Sequence, residues 1–142
     1  MFEERLLENW NYQYSLLQQE WGVDSRLSYL VGLLQGLFVT YGLDPVTITS
    51  GYRSPERQYQ LQNRWDAGDR RGLVARPASS SWHMQGLAVD VSTRSINFDL
   101  FRENMELFDG VRWGGRFRKP DPVHFDLPIG RLRSIRELLT VA

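Results

Sequence analysis

Apolar side chains recur every three or four residues in the first third of the chain, which is the spacing of amphipathic helices. The first series predicts a helix over residues 2–20. The second predicts a helix that begins at a cap at Asp24 or Ser25 and ends near Gly42, a residue suited to a helix C-terminus. Two glycines inside the second helix either weaken it or indicate a closely packed neighbour. The apolar positions are Phe2, Leu6, Leu7, Trp10, Tyr14 and Leu17, then Leu27, Leu30, Val31, Leu34, Phe38 and Tyr41.

Short β-branched or alternating segments farther along the chain predict strands. They are "PVTITSGY", "GLAVDVST", "VRWGGRF" and "HFDLP". Helical spacing returns over residues 55–65, which begin with a serine cap and a proline, over residues 97–108, and from Ile129 onward. Segment 66–81 combines glycine, proline, serine and charge without periodicity, so we expect a long loop there, usually a sign of function or mobility.

Helices flank these strands without a regular strand–helix–strand alternation. The order predicts an α+β fold with a small, mainly antiparallel sheet flanked by helices. A length of 142 residues fits one domain, and no linker or internal repeat divides it. We therefore expect residues 1–142 to form a single domain.

Charge and cysteine content exclude several classes of partner and site. The formal net charge is zero, so electrostatics call for neither a nucleic-acid nor a membrane partner. No apolar run approaches the ~18–20 residues of a membrane span, and the acidic N-terminus does not resemble a secretory signal. Because the chain contains no cysteine, a transition metal would have to be held by histidine and carboxylate groups.

Both histidines of the chain lie near an acidic residue. His83 precedes Asp90 by seven positions, and Asp121 precedes His124 by three. A zinc hydrolase uses three protein ligands, a water in the fourth position and a nearby carboxylate that takes a proton. With two histidines available, such a site needs at least one acid among its ligands.

The strand "GLAVDV" places its acid apart from its apolar side chains. Because side chains alternate between the two faces of a strand, Leu87, Val89 and Val91 share one face while Ala88 and Asp90 share the other. The apolar face would pack inward. The carboxylate would then point out of the sheet beside a small neighbour, which leaves room for a metal.

Each of these residues, taken singly, has a simpler interpretation without a metal. Asp90 would be a strand-end acid bonded to backbone amides, and His83 a loop histidine in solvent. His124 would be a satisfied histidine of a buried strand. A divalent metal explains them jointly, since a buried carboxylate needs a compensating charge.

Three motifs in order, "SGYRS", "SWHMQGLAVD" and "WGGRFRKPDPVHF", resemble the LAS-type zinc peptidases. That family contains D-Ala-D-Ala carboxypeptidases and dipeptidases, and the L-alanyl-D-glutamate peptidases of phage endolysins. The resemblance covers residues 46–127 and implies a zinc site at the sheet of a LAS/hedgehog-like fold. The fixed positions of the central signature are matched by Ser81, His83, Gly86, Ala88 and Asp90, and those of the later signature by Asp121, His124 and Phe125.

The resemblance implies a role for each matched residue. His83, Asp90 and His124 would bind one Zn²⁺ ion. Asp121 would be the general base that activates the attacking water, in a position where family members often have the longer glutamate. Arg53 would stabilise the developing oxyanion, since guanidinium combines charge with a hydrogen-bonding fork.

Three further residues would bind the substrate if the resemblance holds. Gln58 and Ser81 would line the cleft and bond the substrate backbone, and Trp113 would form a wall near the metal. The plain structural alternatives are a solvated helix position for Gln58, a loop cap for Ser81 and a core residue for Trp113. Arg53 has an alternative as well, namely a surface ion pair with Glu56.

The function implied by the resemblance is zinc-dependent cleavage of peptidoglycan stem peptides next to a D-amino acid. The enzyme would be an L-Ala-D-Glu endopeptidase or a D,D-carboxypeptidase of phage or phage-tail-like origin. Without a secretory signal, it would be made in the cytoplasm and reach the wall by lysis or on a particle. Residues 1–45, a helical extension, would complete the core or dock to that particle. The alternative is a non-catalytic zinc-binding structural or adhesion module of a phage or contractile particle.

Overall fold

The computed structural model describes residues 1–129 of the chain. The helix expected from Ile129 onward therefore lies outside the described residues. The helices are α1 (Phe2–Trp21), α2 (Ser25–Thr40), α3 (Pro55–Asp66) and α4 (Phe98–Met105); the strands are β1 (Ile48–Ser50), β2 (Ala88–Val91), β3 (Arg112–Trp113) and β4 (His124–Asp126). Among residues 1–129, no helix has both the length and the apolar character needed to cross a bilayer.

The two N-terminal helices pack closely against each other at glycines of α2. A Cβ added to Gly36 would lie 2.7 Å from the backbone nitrogen of Trp10, and one added to Gly32 would lie 3.0 Å from that of Tyr14. Only a residue without a side chain permits this approach. The glycines inside the predicted helix thus mark close packing, and Asp24 caps α2 by accepting from the backbone N–H of Arg26.

The four strands form one antiparallel sheet in the order β1-β2-β4-β3, which confirms the expected α+β fold with a small antiparallel sheet. Val89 of β2 lies opposite Phe125 of β4, and both are fully buried. The neighbouring pair in the register is Asp90 and His124. Because side chains alternate, this register directs the apolar pair to the core and places the acid and the histidine side by side.

One hydrophobic core joins the helices to the sheet. It contains side chains of α1 and α2 as well as of β2, β4 and α4, and the sheet contributes its apolar face. The fully or nearly fully buried members include Leu17, Leu27, Val31, Val89, Val91, Phe101, Met105 and Phe125.

The structure differs from the sequence prediction in two short turns. Strand β3 has only two residues, because Gly114–Arg116 turn into a 3₁₀ helix instead of continuing "VRWGGRF" as a strand. A second 3₁₀ helix, Trp82–Gln85, stands where a loop was expected; it is capped by the Ser81 hydroxyl and ended by Gly86 at φ 72°. Such single turns are too short to leave a periodic signature in a sequence.

Candidate metal centre

Three side chains from distant parts of the chain converge at one point. His83 Nε2 lies 3.1 Å from Asp90 Oδ1, and His124 Nδ1 lies 3.3 Å from the same oxygen. The two ring nitrogens are 3.2 Å apart. Ligands of a tetrahedral zinc ion, with bonds of about 2.0–2.1 Å, stand about 3.3 Å from one another. These three donors therefore fit one small divalent ion, and their chemistry suits zinc.

Local secondary structure directs each of the three candidate ligand atoms toward this point. The 3₁₀ turn after Ser81 carries His83 over the sheet, where the residue is 2% exposed. Asp90 and His124 are direct partners in the antiparallel pairing of β2 and β4. One ligand thus comes from a capped turn and two from a strand register.

Each imidazole also makes a hydrogen bond that decides which nitrogen faces the centre. His83 Nδ1 donates to the carbonyl oxygen of Gly51 at 2.8 Å, and His124 Nε2 donates to Asp126 Oδ2 at 2.8 Å. A ring nitrogen that donates its proton leaves the opposite nitrogen free to bind a metal. Nε2 of His83 and Nδ1 of His124 are therefore the metal-facing atoms.

The electrostatics of the centre favour a cation. Although burial raises the pKa of Asp90, the adjacent imidazoles of His124 and His83 hold that pKa well below its usual range. Burial lowers the pKa of His124, but hydrogen bonds to Asp126 and Asp90 raise it to about 9. The two carboxylates thus stabilise positive charge between them, in the form of a proton on the imidazole or of a metal ion.

A buried acid behind His124, Asp126, is one functional residue that sequence reasoning missed. Its side chain is 1% exposed, and Arg112 binds both its oxygens, Nε to Oδ1 and Nη2 to Oδ2, each at 2.8 Å. The available signal was the two-residue spacing of "HFD", which places His124 and Asp126 on one face of a strand. Its partner Arg112 lies in β3, and only the pairing of β3 with β4 brings the two residues together.

We expect Asp126→Asn to weaken metal binding by about 10–100-fold, as is typical when the outer partner of a ligating histidine is changed. The amide has no negative charge and cannot accept at both oxygen positions from Arg112 and His124. Titration of the metal-free chain with zinc measures the affinity. Asp109→Asn, an exposed position outside the cleft, is the matched control; equal affinity of both variants would show that Asp126 does not orient His124.

A cleft of about 400 Å³ opens over the three donors. Of the predicted site residues, it is lined by Arg53, Gln58, Ser81, His83, Asp90, Asp121 and His124. Its lining within the described residues does not include Trp113. The indole of Trp113 donates to the carbonyl of Pro122 at 2.8 Å and packs against the hydrophobic core, so it supports the loop that carries Asp121 rather than facing the cleft.

Arg53 reaches the cleft in a fixed orientation. Its Nη1 donates to Gln58 Oε1 at 3.0 Å, and its Nη2 lies 3.8 Å from Asp90 Oδ2. In the described part of the chain, Arg53 forms no ion pair with Glu56. Gln58 is buried, not solvated, and its Nε2 donates to the carbonyl of Ala78 at 2.7 Å. The amide of Gln58 thus ties the guanidinium to the long loop.

Asp121 is brought to the cleft by a tight loop between β3 and β4. Its N–H donates to the carbonyl of Gly114 at 2.8 Å, and its own carbonyl accepts from the N–H of His124 at 3.1 Å. A Cβ on Gly114 would lie 2.2 Å from the Asp121 carbonyl oxygen, so only glycine fits there. Burial and the nearby charge of Asp90 raise the pKa of Asp121, which makes this carboxyl group a better proton acceptor.

Comparison with known proteins identifies a family model and a solved structure that resemble this chain. The sequence model of the Peptidase M15 family matches residues 11–126, a range that includes the second half of α1 and every described strand. Among solved structures, the crystal structure of the Serratia marcescens L-Ala D-Glu endopeptidase ChiX aligns with a TM-score of 0.45 and 22% identity. That alignment covers 88% of this chain and 87% of the other. No curated protein matches the sequence.

Proposed function

The chain belongs to the Peptidase M15 family, and on that premise we propose that it is a zinc-dependent peptidase that cleaves peptidoglycan stem peptides beside a D-amino acid. Peptidases of this family are metal-dependent. The observation that carries the proposal is the convergence of His83, Asp90 and His124 in a cleft that also holds Asp121 and Arg53.

In this proposal the three converging side chains hold the ion. When bound, zinc supplies Lewis-acid polarisation of the scissile carbonyl and lowers the pKa of water. Asp121 takes the proton of the attacking water and returns it to the leaving amine. Its half-buried position in the cleft lining, beside the three candidate ligands, supports this role.

Arg53 stabilises the negative charge that develops on the carbonyl oxygen. Its bond to Gln58 holds the guanidinium over the cleft, so no reorganisation is needed when the charge appears. Gln58 has both ends of its amide engaged, and we assign it to positioning Arg53. Ser81 lines the cleft and accepts from the N–H of His83, and its remaining hydrogen-bonding capacity is directed to the substrate.

The bond cleaved is either L-Ala–D-Glu or the terminal D-Ala–D-Ala bond. A D,D-carboxypeptidase needs a cation for the free carboxylate of its substrate. Of the arginines near the cleft, Arg76 is bound to Asp66, Arg112 to Asp126 and Arg116 to Glu106, whereas Arg53 lies beside Asp90, one of the three candidate ligands. Both activities therefore place Arg53 against the substrate.

The proposal includes two routes by which the chain would reach the cell wall. Release by host lysis or delivery on a phage or contractile particle would bring the chain to the wall. Two exposed aromatic residues, Tyr12 of α1 and Tyr29 of α2, support a docking role for residues 1–45.

A non-catalytic zinc-binding module of such a particle is the second candidate function. The presence of both Asp121 and Arg53 in the cleft favours the enzyme.

Purified peptidoglycan tests the proposal directly. We expect the zinc-loaded chain to release new amino groups, and release to stop when a chelator removes the metal. Mass spectrometry of the fragments then identifies the bond, since the two candidate activities leave different termini. Stoichiometric zinc without any product would support the non-catalytic module instead.

A further inference from the structure

A second cavity of about 400 Å³ adjoins the metal cleft. Three residues, Arg53, Gly72 and Leu73, line both cavities, so the two spaces are neighbours across this wall. The lining of the second cavity contains no acidic side chain in the described part of the chain. Its cationic members are Arg53, Arg57, Arg64 and Arg71. We call this second cavity the arginine cavity.

The positive charge of the arginine cavity is only partly compensated. Asp69 is shared by two guanidinium groups, at 3.2 Å from Arg64 and at 2.9 Å from Arg71. Arg57 bonds only the neutral amide of Gln60, at 3.3 Å, and within residues 1–129 it has no carboxylate partner. Arg53 faces Asp90, whose charge a bound metal would take up.

The floor of the cavity is closely packed. The N–H of Tyr52 donates to the carbonyl of Trp21 at 2.7 Å, and a Cβ on Gly51 would lie 2.4 Å from that same oxygen. The loop from β1 to α3 is thereby fixed against the end of α1. The N-terminus of α3, the helix that carries Arg57 and Arg64, is therefore held in a fixed position beside the cavity.

We propose that the arginine cavity binds a free carboxylate of the stem peptide while the scissile bond lies in the metal cleft. This inference rests on the proposed function, because it assigns the acidic part of that substrate. Guanidinium groups bind carboxylates through paired hydrogen bonds, and the excess positive charge lacks an anion. The carboxylate has two sources, the α-carboxylate of γ-linked D-Glu and the C-terminal carboxylate of the peptide.

Four synthetic stem peptides distinguish these sources. They carry the D-Glu α-carboxylate or its amide, combined with a C-terminal carboxylate or its amide. Binding is measured by calorimetry on the zinc-loaded full chain carrying Asp121→Asn. This substitution should slow cleavage enough that the peptide is not consumed during the titration. We expect one of the two amidations to weaken binding by at least about 10-fold, the usual size of a charge-assisted contact.

The arginine variants connect this loss to the cavity. Arg57→Gln, and separately Arg71→Gln, should weaken binding of the carboxylate peptide by about 10-fold and leave the amide peptide unchanged. Arg5→Gln is the matched control, since this exposed residue of α1 lies 16 positions before Trp21, about 24 Å along the helix. Equal binding of all four peptides, or equal losses for the carboxylate and amide forms, would overturn the inference.

The outcome is separable from that of the proposed function. If the zinc-loaded wild type releases no amino groups from peptidoglycan but acidic peptides bind in an Arg57-dependent way, the enzymatic assignment fails and the cavity assignment stands. If the wild type releases wall fragments but neither carboxylate of the peptide affects its binding, only the cavity assignment fails.

Discussion

His124→Ala is expected to abolish zinc binding and peptidase activity together. The substitution removes Nδ1, one of three donors that stand 3.1–3.3 Å apart, and leaves His83 and Asp90 as a two-ligand remnant. It also leaves the Asp126 carboxylate with Arg112 as its remaining partner. Since a catalytic metal contributes several kcal/mol of transition-state stabilisation, activity should fall by at least about 10³-fold.

Metal content and turnover of this variant are measured on the same preparation. Elemental analysis after dialysis against a zinc buffer gives the stoichiometry, and amino-group release from peptidoglycan gives the rate. Lys119→Ala, in the exposed part of the loop before His124, serves as control and should keep both. Circular dichroism establishes that the variant is folded. A folded His124→Ala chain with full zinc content would remove His124 from the ligand set.

Asp121→Asn is expected to keep the metal and lose turnover by about 10²–10⁴-fold, the usual contribution of a positioned acid or base. The amide has nearly the same shape, so the loop held by Gly114 is retained, but it cannot accept the proton of water. Asp121 is not one of the three converging donors, so zinc affinity should change little.

Two further measurements make this prediction specific. Asp121→Glu retains a carboxylate on a longer arm and should recover part of the lost rate, whereas the amide should not. Zinc titration of both variants should match the wild type. Wild-type turnover by Asp121→Asn would show that another group accepts the proton, and weakened zinc binding would instead place Asp121 in the ligand set.

The two variants separate binding of the ion from use of the ion. If the metal-centre assignment holds, loss of His124 removes both properties, while loss of Asp121 removes only the second. A non-catalytic zinc module would behave differently, because Asp121→Asn would then change no measurable property. The pair therefore decides between the two functions considered for this chain.

Local patterns were sufficient for most of the secondary structure. The apolar periodicity over residues 2–20 predicted α1 to within one residue, and the serine–proline start at residues 54–55 predicted the beginning of α3. Helical spacing and caps act within one or two turns, so a sequence carries them directly. The 3₁₀ turns at Trp82–Gln85 and Gly114–Arg116 escaped prediction because one turn has no period to detect.

The candidate ligands could likewise be named from motifs, but their supporting groups could not. Arg112 and Asp126 are 14 positions apart and meet only because β3 pairs with β4. Trp113 was expected at the cleft wall, and its contact with the carbonyl of Pro122 directs it elsewhere. Such contacts depend on loop conformation, which local propensity does not encode.

The order of residues along the chain thus determined the helices, the strands, the α+β class and the identity of two histidines and one acid as partners. The tertiary structure alone decided that these three meet, because Asp90 faces His124 only in one register of β2 against β4. A shift of one residue would turn each side chain to the opposite face of the sheet. Burial of Val89 against Phe125 excludes that shift, so the packing of the apolar face places the metal-binding groups on the other.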